Sequence, residues 1–574
     1  MRSLAVAVVC ATAVVCAAGL ARADDAPAAD AAQAQAPLSA PGRGVGGEVS
    51  PPAADAAQAQ AQAPLSAPGR GVGGEVSPPA ADAAQAPLSA PGSREVSSPA
   101  ADAAQAQAPL SAPGSGVSGE VSSSAKPPQK LSLRSGEIDQ DALGRLRCLL
   151  GALAMIGVAV LFSADRKRIP WKLVAVGTAL QLVFALLVLK TGAGRAVFAV
   201  GNEAINGLLG YSTQGARFLF GNLVDMSVPV GPGENGGAYI ATSQTWATTG
   251  AFIAFNVLPT IIFFSAIMAF MYHLGIMQVI VKAIAVVMQK TMGTSGAETT
   301  SVASNIFLGQ TEAPLLIKPY LEKMTRSELM AVMVAGFATV AGGVMAAYVG
   351  MLRASFEDIA GHLLAASVMG APASLVMAKI MVPETETPET LGGKLVDLPK
   401  VDANALDAVS RGTSEGFFLA MNVGAMLIAF TALIAMLNGA LGLGVHIGLP
   451  AITLEQVMGV VGAPLAFVLG VPMDDAVVVG GLIGTKTVVN EFVAYQGLAG
   501  MLATGGVIKH SVSVVIATYA LCGFSNFASI GIQIGGISAM CPARRKDIAA
   551  LGLRAMFCGS LATFQTAAIA ALVL

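Results

Sequence analysis

From about residue 148 to the C-terminus, apolar runs near twenty residues long recur, separated by short polar stretches. A helix of about twenty apolar residues matches the thickness of a bilayer's hydrocarbon core. The composition agrees with that reading, since 54% of the 574 residues are hydrophobic and 12% are charged. The runs define an all-α polytopic membrane protein with the lipid bilayer as its solvent. The six cysteines are scattered and form no CxxC, so they indicate neither a disulfide framework nor a zinc site. The four histidines stand alone near helix ends, where an interfacial place is expected. A formal charge of −2 without a basic patch gives no footing to nucleic acid as a partner.

The chain before the runs divides in two. Residues 1–23 read as a secretory signal peptide, with Arg2 as its charge, Leu4 to Leu20 as its core and Ala21-Arg22-Ala23 as its cleavage site. Residues 24–135 are low-complexity. A unit resembling DAAQAQAPLSAPGRGVGGEVSPPAA starts at Asp30, Asp55 and Asp102, and in shortened form at Asp82. It holds too few bulky apolar residues to bury a core, so a disordered, extracytoplasmic tail is expected. The membrane domain is then 136–574.

Eight spans are expected, at about 148–163, 173–190, 249–271, 328–350, 358–382, 414–442, 505–537 and 548–574. Arg166, Lys167, Arg168 and Lys172 follow the first span, which puts that loop in the cytoplasm. Arg544, Arg545 and Lys546 place the end of the seventh there as well. The tail and the C-terminus are then extracytoplasmic, in a multi-pass protein of the cell membrane. Residues 191–247 and 452–472 read as outer interfacial stretches, 276–290 as an inner interfacial helix and 383–411 as a cytoplasmic linker.

Two stretches are too polar and too broken to span simply. Residues 294–322 hold Gln310, Thr311 and Glu312 in a row between Gly309 and Pro314. Residues 476–500 hold Lys486, Asn490 and Glu491 in an apolar setting, after Asp474 and Asp475, which are expected in outer solvent. A carboxylate at membrane depth costs roughly 2.5–3.5 kcal/mol or more, so such groups face a cavity or a partner. Both stretches read as re-entrant hairpins, the first entered from the cytoplasm and the second from outside. A Gly-broken span follows each, at Ala341-Gly342-Gly343 and at Gly523-Phe524-Ser525-Asn526. Paired broken segments of opposite sense mark an inverted-repeat secondary transporter. The plainer alternative for Glu312 and Glu491 is a pair of buried carboxylates bonded to lysine or backbone that hold the bundle together. Lys486 either neutralises a carboxylate or sits at the interface.

The runs NIFLGQTEAPLLIKPYL (305–321), GTKTVVNEFVAY (484–495) and ALCGFSNFASIGIQIGG (520–536) closely resemble the concentrative nucleoside transporters, over about 138–574. The absence of extra leading helices is similar to the shorter, bacterial-type members. The resemblance implies eight transmembrane helices with two re-entrant hairpins, assembled as a homotrimer with one site per protomer. It implies nucleobase contacts at Gln310, Thr311, Glu312 and Val344. It implies ribose contacts at Glu491, Phe524, Asn526 and Ser529. It implies a sodium site at Asn305, Leu308, Thr339 and Val340, where Thr339 stands in place of the serine of some members.

The function expected is secondary active import of nucleosides by alternating access. Sodium is the favoured coupling ion, protons are the runner-up, and no cofactor is called for. A nucleoside-permeable channel is the alternative, although no filter-like repeat supports it. An intramembrane enzyme comes third, because HExxH, GxSxG and paired membrane aspartates are all missing. Purine or pyrimidine preference rests on a few side chains around the base and is not set by these motifs.

Overall fold

The computed structural model describes residues 140–225, 227–229, 246–248, 253–392, 402–442, 452–505 and 507–574, all within one compact unit. The expected leader and repeat-rich tail lie outside the described residues. The described chain is helical apart from a short antiparallel pair, Ser227–Pro229 with Trp246–Thr248.

Seven described helical segments are long and apolar enough to cross a bilayer. They are α1 (Ala142–Leu161), α2 (Trp171–Lys190), α4 (Leu258–His273, entered through the π turn Ile253–Val257), the broken pair α7 (Arg326–Ala338) and α8 (Gly342–Leu352), α9 (Ile359–Met381), α10 (Ala405–Gly442) and α16 (Arg545–Val573). They coincide with seven of the eight expected spans. The expected seventh span divides into two short helices, α14 (Ser511–Leu521) and α15 (Phe527–Met540). Between the long helices lie α3 (Gly192–Phe220) and the amphipathic α5 (Ile276–Met292).

The first polar stretch folds as α6 (Gly296–Ser304), an irregular turn, and a short 3-10 segment, Ala313–Tyr320. Pro314 and Pro319 keep the latter from propagating as an α-helix. The second forms α12 (Met473–Val488) and α13 (Glu491–Thr504), divided at Val489 and Asn490. Val489 closes the first of these helices and Asn490 starts the second, its Oδ1 accepting the Val493 N–H at 2.9 Å as an N-cap. The expected interfacial stretch before it is α11 (Leu454–Val468), bent by 116° from α12. Glycines allow the close packing of these two, for a Cβ on Gly480 would lie 2.5 Å from the Ala463 nitrogen.

The core is the four-part crossing of α7, α9, α14 and α16. Every residue of α7 from Ser327 to Ala338 is buried, and so is every residue of α14 from Val512 to Leu521. The two chain breaks meet there. The Ser525 hydroxyl donates to the Phe337 carbonyl at 3.1 Å, and a Cβ on Gly523 would stand 2.7 Å from that oxygen. Only a glycine lets one broken helix lie this close to the other.

A buried ionic network fixes the base of α6. Ser295 and Thr325 start α6 and α7 with capping boxes that use Glu298 and Glu328. The two boxes are tied together by the Ser295 hydroxyl, which donates to Glu328. Lys379 of α9 pairs with Glu298 at 2.8 Å and Glu384 at 3.3 Å, and donates to Ser327 at 3.0 Å. Thr390 accepts the Gly296 and Ala297 N–H groups through its carbonyl and hydroxyl oxygens. The start of the expected linker is therefore packed structure. Its end is helical, since α10 begins nine residues earlier than expected, with Asn404 accepting the Asp407 N–H at 3.0 Å.

Two placements differ from expectation. Asp475 is fully buried, not in solvent. It accepts the N–H groups of Lys509 and His510 and the hydroxyl of Ser513, which supplies an anion to the start of α14. His362 is buried against the Tyr519 hydroxyl at 3.2 Å and the Phe356 ring, not interfacial.

Candidate functional site

Polar groups of both broken stretches reach the elements that cross at the chain breaks, Glu491 through Asn526 and Gln310 through Gly336 and Gln533, whereas Glu312 lines a cavity that includes neither Glu491 nor Asn526. Glu491 is the first residue of α13, where the positive helix end favours a carboxylate. It is 5% exposed, and both its oxygens are engaged. Tyr348 of α8 donates to Oε1 at 2.9 Å, and the Asn526 amide donates to Oε2 at 2.8 Å. Asn526 also caps α15, with Oδ1 accepting the Ser529 N–H at 2.9 Å. Three of the four residues expected at the ribose, Glu491, Asn526 and Ser529, are thus one connected group. Phe524, the fourth, lies within the break and is half-buried.

Three of the four expected nucleobase residues, Gln310, Thr311 and Glu312, sit at the tip of the first polar stretch, which packs against α15. Gln310 is buried, and its Oε1 accepts from the Gln533 amide at 3.2 Å. Gln533 is anchored in turn on the Met333 carbonyl of α7 at 3.0 Å. Thr311 packs on Gly536, where any Cβ would collide with the threonine methyl. Glu312 turns back on its own loop and accepts the Gly309 N–H at 3.1 Å. Its carboxylate is exposed to a cavity of about 100 Å³ lined also by Tyr272, Leu308, Gly342, Asp402 and Arg411. Val344 is buried on α8, one helical turn before Tyr348 and on the same face.

The residues expected at the ion lie where the tip meets the break between α7 and α8. The Gly342 N–H donates to the Phe307 carbonyl at 2.9 Å, which ties the tip to the break. Asn305 is fully buried, and neither of its amide atoms has a hydrogen-bond partner. The buried Thr300 and Ser301 hydroxyls of α6 are likewise unpartnered. Thr339 spends its hydroxyl on the Ala335 carbonyl at 2.9 Å, and Val340 is buried beside it. Buried polar groups are nearly always satisfied, so a cluster of orphaned oxygens asks for a guest. Amide, hydroxyl and helix-end carbonyl oxygens suit a hard monovalent cation (compare). Leu308 lines the cavity beside Glu312.

Sequence reasoning missed three participants. Tyr348 carried a signal, since it stands four residues after Val344 on one helix face. Gln533 had none, because its partner lies 223 residues away. The third is the Asp402–Arg411–Glu415 cluster on the far wall of the cavity. The guanidinium hydrogen-bonded to Asp402, at 2.6 Å, holds that carboxyl below the usual range. Lys486, left open by the sequence, is fully buried and donates to the Ala520 carbonyl at 2.7 Å.

A membrane bundle with polar groups gathered at paired helix breaks has the construction of a secondary transporter. The similarities are specific. Family models for the Na+ dependent nucleoside transporter N-terminus and C-terminus match residues 150–223 and 362–571, and a nucleoside recognition model matches 254–355. An uncharacterized transporter of Haemophilus influenzae is 42% identical over 430 residues, 74% of this chain and 97% of that one. Solute carrier family 28 member 3 of Mus musculus is 39% identical over 453 residues, 77% of this chain and 60% of that one. CNTnw in an inward-facing substrate-bound state is 41% identical with a TM-score of 0.66, over 75% of this chain and 98% of that one. The chain belongs to the concentrative, sodium-dependent nucleoside transporter family, whose members are transporters and not enzymes.

Proposed function

We propose that this protein imports nucleosides across the cell membrane by sodium symport with alternating access. The observation that carries the reading is a pair of chemically complementary polar groups on the two broken stretches: a prearranged carboxylate–amide group at Glu491 and Asn526, and an amide–hydroxyl–carboxylate tip at Gln310, Thr311 and Glu312. A nucleoside presents vicinal hydroxyls at one end and ring nitrogens with exocyclic groups at the other. In this reading Glu491, Phe524, Asn526 and Ser529 hold the ribose, and Gln310, Thr311, Glu312 and Val344 hold the base. Ribose hydroxyls donating to the Glu491 carboxylate make charge-assisted bonds in a dry site. An analogue without them leaves buried acceptors unpaired, which gives selectivity.

Sodium takes the orphaned oxygens around Asn305, with Leu308, Thr339 and Val340 on its flank. The family description, which names sodium, supports this choice over protons. The domain assigned to transport is 136–574, with 294–322 and 476–500 as opposed re-entrant hairpins among eight spans. The leader 1–23 is removed, the repeat-rich tail 24–135 and the C-terminus face outward, and three copies assemble. CNTnw is known in inward-facing and outward-facing states, which supports alternating access for this chain.

The test is uptake of labelled uridine and adenosine by cells lacking their own nucleoside transporters. Accumulation above the external concentration that disappears when choline replaces sodium is expected. Uptake that ignores sodium but collapses with a protonophore would move the coupling to protons. Equilibration without accumulation would make the protein a channel.

A further inference from the structure

The two halves meet the crossed breaks with different charges. In the first, α7 ends at the break, and its last turn meets the first polar stretch where a Cβ on Gly336 would lie 2.8 Å from the Gln310 side chain. On that stretch, Ser301 and Asn305 lie one turn apart, buried, with side-chain oxygens that have no partner. In the second half, α14 ends at the break in the same way. The residue one turn before its asparagine, Asn490, is Lys486 and not a serine.

The Lys486 ammonium lies at that helix end. It donates to the carbonyl of Ala520, in the last turn of α14, at 2.7 Å. It also donates to the Thr563 hydroxyl of α16 at 3.2 Å and sits 5.7 Å above the Phe564 ring. The side chain is fully buried and within electrostatic reach of Glu491. A carbonyl, a hydroxyl, an aromatic face and a nearby carboxylate surround a cation that is covalently held.

We infer that Lys486 is a resident cation, occupying in the second half the place that the coupling ion takes in the first. The inference rests on the sodium-coupled reading above. An ammonium on a side chain cannot be released, so the second half contributes the charge that balances Glu491 without adding a transported ion. Lys486 is thus a positioning residue, acting through Glu491 rather than on the nucleoside. Replacing it with the serine found at the matching register of the first half would leave the Ala520 carbonyl, the Thr563 hydroxyl, a new hydroxyl and an unbalanced Glu491. That set suits a second sodium ion (compare).

The experiment compares the full-length protein with its Lys486→Ser and Lys486→Met variants. Sodium activation of uridine uptake is measured in cells, and thermal stability of the purified protein is measured across a sodium series, with choline holding ionic strength. In Lys486→Ser, uptake should need more sodium than in the parent, and the Hill coefficient for sodium should rise by about one. The serine variant should also unfold earlier in choline and gain more stability per decade of sodium than the parent, because a second bound ion adds its own linkage. Lys486→Met has no oxygen to offer and should show neither gain. The stability readout decides the matter even where a variant no longer transports. A serine variant whose sodium response tracks the parent, or a methionine variant that gains as much, would overturn the assignment of Lys486. A parent indifferent to sodium would sink the coupling reading alone, since the inference is judged on the difference between serine variant and parent.

Discussion

Tyr348 decides how the Glu491 carboxylate is held. Its hydroxyl fixes one oxygen at 2.9 Å, and its ring is stacked on Tyr495 with centroids 4.3 Å apart. The carboxylate is therefore presented in one orientation, with Asn526 on the other oxygen. A hydrogen bond to a charged group is worth about 1.5–3 kcal/mol, so losing it should weaken whatever depends on that orientation by about tenfold or more. Tyr348→Phe keeps the stacking and removes only the hydroxyl. The KM for uridine is expected to rise about tenfold with the maximal rate nearly kept, on that same scale. The KM for a 2′,3′-dideoxynucleoside, which lacks the hydroxyls proposed to meet Glu491, should barely move. Equal shifts for both substrates would detach Tyr348 and Glu491 from the ribose.

At the scale of elements, the helices were legible because apolar length and glycine or proline breaks are local signals. Seven expected spans coincide with long helices, and the breaks at Ala341 and Phe524 fall where glycines and polar residues interrupt the runs. The polar stretches were legible because carboxylates are expensive in lipid. Other features depend on partners far along the chain. Asp475 looked solvent-exposed beside Asp474, yet it is buried by accepting from the chain 34 to 38 residues later. Glu384 and Thr390 looked like linker, yet they close on the base of α6. Nothing local announces the contact of the first polar tip with α15, where Thr311 meets Gly536. That contact can be tested by overpacking. Gly536→Ala should push the tip away and destabilise the protein by about 1–3 kcal/mol. Adding Thr311→Ser removes the colliding methyl but keeps the hydroxyl. The double variant should therefore regain part of the lost melting temperature and uridine uptake. A double variant no better than Gly536→Ala would mean that the tip and α15 are not in contact during transport.

At the scale of the whole molecule, the described chain combines a polar centre at the crossed breaks with wide apolar faces. Among the latter, α10 exposes Phe417, Phe418, Met421 and Ile428 beside a groove shared with α3 and α4. Those faces suit lipid and the neighbouring copies of the proposed trimer. The centre, by contrast, sets the thermodynamics. A tenfold sodium gradient supplies about 1.4 kcal/mol, and 100 mV supplies about 2.3 kcal/mol for each positive charge moved. On the inference that a lysine is fixed in the second half, the expected scheme is one sodium ion per neutral nucleoside, with one charge crossing. The sum of about 3.7 kcal/mol supports accumulation of roughly 500-fold, whereas the chemical gradient alone supports about tenfold. Proteoliposomes with a tenfold sodium gradient should therefore concentrate uridine about tenfold when potassium and valinomycin clamp the potential at zero, and several hundredfold when they set 100 mV inside-negative. Accumulation unchanged by the potential would mean that no net charge moves, and the one-ion scheme would fall with it. Accumulation in the thousands at the same potential would require a second ion, and the vacancy for it would have to be sought beside Lys486.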